Sequence, residues 1–291
     1  MGNKMGNKKE SKELLKEAIK KSGNNLHIKV VEELENNGWE EIDMSCYYCD
    51  DTNNIPREID IKAVKSIPIS QENPTMVSVC LFIECKHLKD PVGFRMREIE
   101  QNEIAEAIGI REYKKRDFLE FLERNKRECN FHYIDYSSVG CLYDVGQIKN
   151  GGESNENKHI FNAITQPIKS QIFFEERMGK GECTIHCPVT VYEGIDNIYK
   201  VNGQEIQETD NSSYEIMPFK IRYSYKKSEK EFKTKTFIID FVHISSIKEY
   251  LDIIMHDLIS LQQYALQEYN KEKWDERMDK VFNQNDYYGT Y

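Results

Sequence analysis

Three ionisable residues stand in two apolar segments of the chain, where charges are costly. The segment VSVCLFIECKH, residues 77–87, is almost continuously apolar until it reaches Glu84 and Lys86. The segment REIDIKAVKS, residues 57–66, carries Asp60 between two isoleucines. A buried charge is tolerated when it is paired, when its pKa shifts, or when it holds a metal ion. Each of the three charges therefore calls for one of these explanations.

The apolar pattern of these segments predicts two strands that bring the charges together. REIDIKAV alternates, which predicts a strand with Asp60 on the face opposite its two neighbouring isoleucines. The longer apolar run predicts a central strand that is covered on both faces. Residues two apart on a strand share a face, so Glu84 and Lys86 project together, and a hairpin would place Asp60 beside them.

These residue types suit a divalent metal ion. Two carboxylates and a backbone carbonyl at one point form a hard oxygen site, which Mg²⁺ or Mn²⁺ prefers. Asp60, Glu84 and the backbone carbonyl of Cys85 would supply those oxygens. The ammonium of Lys86 would orient a water molecule or stabilise the charge of a phosphate. This combination is suited to metal-assisted hydrolysis of a phosphodiester.

The residues REIDI and FIECKH, preceded by a Gly-terminated helix, resemble the PD-(D/E)xK nuclease superfamily, which includes restriction endonucleases and Holliday-junction resolvases. The resemblance implies an α/β fold with a restriction-endonuclease-like α-β-β-β-α-β core. It also implies that Asp60 and Glu84 hold the metal and that Lys86 is the catalytic lysine.

One position departs from the superfamily pattern. Many members place a glutamate early in the first core helix, where this chain has His27. Glu32 and Glu33 lie on other faces of that helix, because successive residues are turned by about 100°. Some branches of the superfamily carry a histidine there. His27 therefore either serves as a metal ligand or marks a weakened site.

Helical spacing, alternation and turn residues predict the other elements. Helices are expected at residues 26–37, where Asn37-Gly38 ends the helix, at two stretches between 98 and 125, at 159–177 and at 246–281. Strands are expected at residues 39–48, 183–194, 198–203, 214–225 and 233–243, and residues 129–157 are expected to be irregular.

These elements suggest three parts of the chain. Residues 1–24 form a flexible basic segment. Residues 25–195 form the nuclease-like core, with a helical insertion at about 90–157. Residues 196–291 form a C-terminal elaboration, rich in β-strands and ending in a long helix. The apolar stripe of that helix could pack in the core or form the seam of a homodimer.

Charge limits the class of partner. The formal net charge is −10, so the chain is not a general binder of polyanions. A local basic set near the candidate site could still contact a DNA backbone. Its members are Arg57, Lys62, Lys65, His87 and Lys89. The same residues could equally form a solvated strand end.

The eight cysteines and the N-terminal sequence predict a cytoplasmic protein. The N-terminal segment lacks the apolar stretch of a secretion signal, so the cysteines are interpreted as reduced thiols. No apolar run approaches the roughly 18 residues that cross a bilayer, so no membrane partner is expected. The abundance of Asn, Lys, Ile and Glu is typical of an AT-rich bacterial genome.

Together these features predict a divalent-metal-dependent nuclease that hydrolyses DNA, in defence, a mobile element or repair. Two other functions stay open. A degenerate nuclease fold could act as a binding or assembly module, which His27 and the negative net charge favour. The same site could also act on RNA.

Overall fold

The residues that the structure describes fold into a mixed α/β structure around one sheet of ten strands. The computed structural model describes residues 12–17, 19, 22, 24–50, 55–110, 112–146, 156–177, 183–195, 198–207, 216–228 and 231–285. The helices are α1 (Asn24–Asn36), α2 (Gln101–Ala107), α3 (Glu112–Arg124), α4 (Glu156–Glu175) and α5 (Ile247–Asn285). The strands are β1 (Glu41–Asp50), β2 (Ile55–Pro68), β3 (Met76–His87), β4 (Val92–Glu98), β5 (Ser138–Val145), β6 (Cys183–Glu193), β7 (Tyr199–Asn202), β8 (Glu205–Ile206), β9 (Ile216–Ser228) and β10 (Glu231–His243).

The sheet combines an antiparallel beginning with a parallel centre. Its strand order is β1-β2-β3-β6-β10-β9-β5-β4-β7-β8. The first three strands form an antiparallel meander, and β6 lies parallel to β3. β10 lies parallel to β6, and β9 pairs with β10 as an antiparallel hairpin. The C-terminal strands therefore continue the same sheet as the first three.

Helix α1 ends as its sequence predicts. Gly38 has φ +70°, a conformation that glycine adopts at little steric cost. The Gly38 N–H donates to the Glu35 carbonyl at 2.9 Å, and the Trp39 N–H donates to the Leu34 carbonyl at 3.0 Å. This pair of bonds is a Schellman motif. Trp39 and Leu34 are both buried, so the cap also fixes how the chain enters β1.

Two apolar cores lie on opposite faces of the sheet. The first packs α1, α2, α3 and α5 against one face, and it includes Leu81 and Ile83 of β3. The second packs α4 against the other face. Phe82 of β3 stacks on Phe174 of α4, with ring centroids 5.6 Å apart. Strand β3 is therefore covered on both sides, as its continuous apolar run predicts.

Helix α4 contains a proline whose missing hydrogen bond is replaced from the sheet. Pro167 has no N–H to donate to the carbonyl of Ala163, four residues earlier. The hydroxyl of Thr190 in β6 donates to that carbonyl instead, at 2.7 Å. Thr190 is the register partner of Glu84 in β3. The proline thus ties α4 to the part of the sheet that carries the candidate site.

We expect Thr190→Val to lower the free energy of unfolding by about 1–3 kcal/mol, because it leaves the buried Ala163 carbonyl without a donor. Pro167→Ala restores a backbone N–H to that carbonyl. In the Pro167→Ala background, Thr190→Val should therefore cost clearly less. Urea unfolding of the two single variants and the double variant measures the coupling. Strictly additive effects would show that the two residues do not share this acceptor.

The structure confirms most predicted elements and corrects the expectation for residues 90–157. β4 and β5 lie within residues 90–157, which were expected to be a helical and partly irregular insertion. Val92 and Phe94 of β4 are fully buried, so their alternation marks a strand that the sequence reading missed. The strands pair with each other and join the sheet through β9 and β7.

The apolar stripe of α5 packs inside its own chain. Its members are almost completely buried in the first core: Ile247, Leu251, Ile254, Leu258, Leu261 and Ala265. A homodimer through this helix would have to use another face of it. Of the expected basic segment 1–24, residues 12–17 are helical, and most of the remainder lies outside the described residues. None of the described helices is long and apolar enough to span a membrane.

Candidate functional site

A gap opens between β2 and β3 where the candidate residues lie. The β2–β3 ladder runs from the Pro68–Met76 pair to the Ile61–Ile83 pair. Beyond that point β2 still pairs with β1, and β3 still pairs with β6 as far as His87. Beyond the last pair, the facing backbone edges of β2 and β3 are therefore no longer paired with each other.

Asp60 occupies this gap. Its Oδ2 accepts a hydrogen bond from the backbone N–H of Cys85 at 2.7 Å. The N–H and C=O of one residue point to the same edge of a strand, so the Cys85 carbonyl also faces the gap. Nε2 of His27 on α1 lies 3.3 Å from the same Asp60 oxygen. The hydrogen bond with Asp60 raises the pKa of the His27 imidazole.

Glu84 and Lys86 lie side by side, as predicted from their spacing. The Lys86 ammonium donates to Glu84 Oε1. Glu84 is only 2% exposed, and its other oxygen, Oε2, is buried without a hydrogen-bond partner. Burial raises the pKa of Glu84 to about 7, against the opposing charge of Lys86. A carboxylate in this state is stabilised by any cation that reaches its free oxygen.

Strained backbone lies opposite Asp60. Ser45 of β1 has φ +56°, and among the described residues it is the one non-glycine residue with a positive φ. The β1–β2 register skips it, between the Met44–Ile61 and Cys46–Ile59 pairs. A non-glycine residue in this conformation costs about 1–3 kcal/mol and is often found at functional sites.

The distortion at Ser45 reverses the alternation of β1. Ile42 packs against the core that contains α1, whereas Tyr48 packs against Phe173 of α4 on the other face. In a regular strand, residues six apart share a face. Tyr48 therefore packs on the α4 side of the sheet, where burial and then the charge of Glu84 raise the pKa of its hydroxyl.

A second ion pair lies beside this part of β1. Asp50 is 1% exposed, and its Oδ2 accepts from Lys169 Nζ of α4 at 2.7 Å. Arg57 Nε lies 3.7 Å from the same oxygen. Tyr48, Asp50 and Lys169 were not predicted from the sequence, because β1 has the pattern of an ordinary strand whose alternation does not change.

The predicted site residues converge, but not on a single point. The charges of Asp60, Glu84 and Lys86 all act on the His27 imidazole, so the four side chains form one electrostatic cluster. The donor atoms of His27, Asp60 and Cys85 lie within 4.8 Å of one another, whereas Glu84 does not belong to that group. Cys85 was expected to contribute its carbonyl, and the structure also brings its sulfur close.

The residues around the gap fit a divalent cation. The donor set includes the Asp60 carboxylate, the backbone carbonyl oxygen of Cys85 and the buried Oε2 of Glu84. The Glu84 oxygen has no hydrogen-bond partner. These oxygens suit Mg²⁺ or Mn²⁺. The unpaired Oε2 is the strongest sign of fit, because a buried charged oxygen without a partner is costly.

The predicted nucleic-acid contacts are largely engaged inside the protein. Arg57 approaches Asp50, and Lys62 Nζ donates to Asp43 Oδ2 at 2.6 Å. The Lys65 ammonium donates to the Gly38 carbonyl, and His87 Nδ1 lies 3.7 Å from Glu193 Oε1. Lys89 also has partners within the protein. The side chains of Arg57 and His87 are about half exposed, and Lys89 is exposed as well.

A second buried charged cluster lies on the α5 side of the sheet. His132 lies between Asp240 of β10 and Asp257 of α5, with its Nε2 3.0 Å from Asp240 Oδ2 and its Nδ1 bonded to Asp257 Oδ2. Tyr136 and Tyr250 donate to Asp240 at 2.8 and 3.0 Å. This cluster was not predicted from the sequence, although Asp240 interrupts an apolar strand just as Glu84 does.

The His132 cluster is a structural ion pair. Burial by itself lowers the pKa of His132, but the charges of Asp257 and Asp240 outweigh burial and raise the pKa to about 10. The imidazole is therefore a cation held between two carboxylates. The cluster joins the segment after α3 to β10 and α5.

A large cavity of the described structure lies elsewhere. It has a volume of about 850 Å³ and lies between α2, α3 and the β9–β10 hairpin. None of the candidate site residues lines it. Its walls carry both basic and acidic side chains, so it indicates no particular ligand.

No protein-family model matches the chain, and no curated protein sequence and no solved structure matches it either.

Proposed function

We propose that the protein is a divalent-metal-dependent nuclease that hydrolyses phosphodiester bonds of DNA. The observation that carries this proposal is the buried carboxylate of Glu84, with one oxygen on Lys86 and the other unpaired, beside the gap that holds Asp60. Carboxylates around a cation position and a neighbouring ammonium are the groups that phosphodiester hydrolysis uses.

The order of elements supports a restriction-endonuclease-like core. A helix, three antiparallel strands, a helix and a strand parallel to the third occur in that order as α1, β1, β2, β3, α4 and β6. Helices α1 and α4 cover opposite faces of these strands. On this proposal the residues between β3 and α4 are an insertion, and β7 to α5 are a C-terminal elaboration of the core.

The side chains have separate roles in the proposed reaction. Asp60, Glu84 and the Cys85 carbonyl would hold Mg²⁺ or Mn²⁺. When bound, the ion would act as a Lewis acid on the phosphodiester and lower the pKa of a water molecule. Lys86, held against Glu84, places a positive charge beside the position of the phosphate. His27 holds the Asp60 carboxylate in the gap.

DNA would approach the open side of the gap. Arg57 and His87 are half-exposed basic residues there, and we propose that they contact the backbone. Lys62, Lys65 and Lys89 would contribute only if DNA displaced their present partners. Because the eight cysteines are all free thiols, we propose that the protein acts in the cytoplasm.

Cleavage in the presence and absence of metal tests the proposal. The full chain, incubated with circular and single-stranded DNA, should cut when Mg²⁺ or Mn²⁺ is present. Removing the metal with EDTA should abolish cleavage, because no charge would then balance the attacking and leaving oxygens. Labelled DNA and RNA of the same sequence, compared side by side, identify the substrate. Equal cleavage with and without EDTA would contradict the proposal.

A binding or assembly module is the second candidate. It is favoured by the internal engagement of the basic set and by the contact of His27 with Asp60, which occupies a metal-binding oxygen. On this alternative the wild-type chain binds nucleic acid without cutting it. Gel-shift and cleavage assays on one preparation separate the two functions.

A further inference from the structure

Three different donor atoms meet beside the proposed nuclease site. A ring nitrogen of His27, a carboxylate oxygen of Asp60 and Sγ of Cys85 come from α1, β2 and β3 and lie within 4.8 Å of one another. We infer that these residues form a second metal site, specific for a transition-metal cation of the Zn²⁺ and Co²⁺ class, and that this site shares Asp60 with the nuclease site.

The donor set decides the class of cation. Mg²⁺ takes oxygen ligands almost exclusively. Imidazole and thiolate ligands favour Zn²⁺ and neighbouring transition metals, whose affinity for nitrogen and sulfur is far higher. One nitrogen, one oxygen and one sulfur therefore form a site that Zn²⁺ or Co²⁺ occupies in preference to Mg²⁺. The set differs in kind from the oxygen ligands around Glu84.

The distance between His27 and Asp60 fits two ligands of a tetrahedral ion. Nitrogen and oxygen ligands that lie about 2.0–2.1 Å from a tetrahedral Zn²⁺ are roughly 3.3–3.4 Å from each other. His27 Nε2 and Asp60 Oδ2 are 3.3 Å apart. A bound sulfur would lie roughly 3.6 Å from them, since the Zn–S bond is about 2.3 Å. The Cys85 sulfur lies within 4.8 Å of the other two donor atoms, so a rotation of the Cys85 side chain would bring it to the distance of a bound ligand.

The site is open on one side and closed on the other. The side chains of His27 and Asp60 are 22% and 19% exposed, so an ion can enter from solvent. Cys85 is 8% exposed and packs in the core beneath α1, which protects the sulfur. The thiol proton is released to solvent when the sulfur binds the metal. Three protein ligands leave a fourth position for water.

Sharing Asp60 links the two sites. A cation of the Zn²⁺ class bound to His27 and Cys85 draws the Asp60 carboxylate toward α1 and away from Glu84. Zn²⁺ should therefore inhibit Mg²⁺-dependent cleavage. This consequence rests on the proposed function, whereas the second site itself does not.

Titration of the metal-free full chain with Co²⁺ tests the site directly. We expect one equivalent to bind with a sulfur-to-cobalt charge-transfer absorption, because Cys85 becomes a ligand. Cys85→Ser should remove that absorption, and His27→Gln should weaken Co²⁺ binding by about tenfold or more. Cys46→Ser and Cys141→Ser, which alter partly buried cysteines of β1 and β5, should keep it.

Two results would overturn the inference. One is a wild-type protein that binds Co²⁺ without the absorption. The other is an absorption that survives Cys85→Ser or disappears in Cys46→Ser. If Cys85→Ser does not fold, His27→Gln decides: unchanged Co²⁺ affinity in that variant overturns the site. A protein that shows the absorption but never cuts nucleic acid retains the second site and loses the nuclease function. A protein that cuts nucleic acid but shows no absorption retains the nuclease function and loses the second site.

Discussion

Asp60→Asn is expected to lower metal-dependent cleavage by about 10²- to 10³-fold while leaving the fold intact. The amide oxygen of asparagine can still accept the Cys85 N–H, so the hydrogen bond in the gap is kept. The negative charge that would face the metal is lost. Initial rates on plasmid DNA at saturating Mg²⁺, together with thermal unfolding of both proteins, separate the two effects.

A matched control removes a carboxylate elsewhere in the sheet. Asp144 of β5 is exposed and pairs with Arg95 at 2.7 Å, far from the residues assigned to catalysis. Asp144→Asn should cut at the wild-type rate. If Asp60→Asn also cuts at that rate, Asp60 does not hold the metal and the proposed mechanism fails. If Asp60→Asn unfolds at a much lower temperature, the loss of cleavage would be structural, and Lys86→Met would be the decisive variant.

His132→Ala is expected to lower the free energy of unfolding by about 3–5 kcal/mol, because it leaves Asp240 and Asp257 buried without their shared cation. Urea unfolding measures the change. His256→Ala, on the exposed face of the same α5 helix, should change stability by less than about 0.5 kcal/mol. A loss below about 1 kcal/mol for His132→Ala would show that the cluster contributes little.

The pH dependence of stability gives a second readout of the same cluster. The pKa of His132 is raised from 6.5 to about 10 in the folded chain. The stability contributed by its charge is therefore fully present below pH 6.5 and is lost as the pH rises through about 10. Tyr136 and Tyr250 stay neutral over this range, since burial raises the pKa of both well above its usual value.

Wild-type protein should thus lose more stability than His132→Ala between about pH 7 and about pH 9.5, with a difference of a few kcal/mol at most. Parallel slopes for the two proteins would contradict an imidazolium at this position.

Local patterns carried the prediction of the first half of the chain. The helical spacing of residues 26–37, the Asn37-Gly38 stop and the apolar run of β3 each specify an element through neighbours in sequence, and all three elements are present. β4 and β5 were missed because their pairing depends on strands that are distant in sequence. Strand pairs of that kind leave a weaker local signal.

The candidate site was likewise only partly predictable from the sequence. That Glu84 and Lys86 would lie together follows from a two-residue spacing on one strand, and the structure shows their contact. That Asp60 would meet α1 does not follow from spacing. It depends on where the β2–β3 ladder ends and on how α1 crosses the sheet.

By itself the sequence determined that charges enter a buried strand, because the apolar run is a local pattern. It also determined that these charges must find partners, because burying an unpaired charge is costly. Only the tertiary structure decided which partners they have. It placed His27 and the Cys85 sulfur beside Asp60, left Glu84 Oε2 unpaired, and reversed β1 at Ser45. These contacts join residues that are distant in sequence, and their geometry arises only when the packed faces of helices and strands meet.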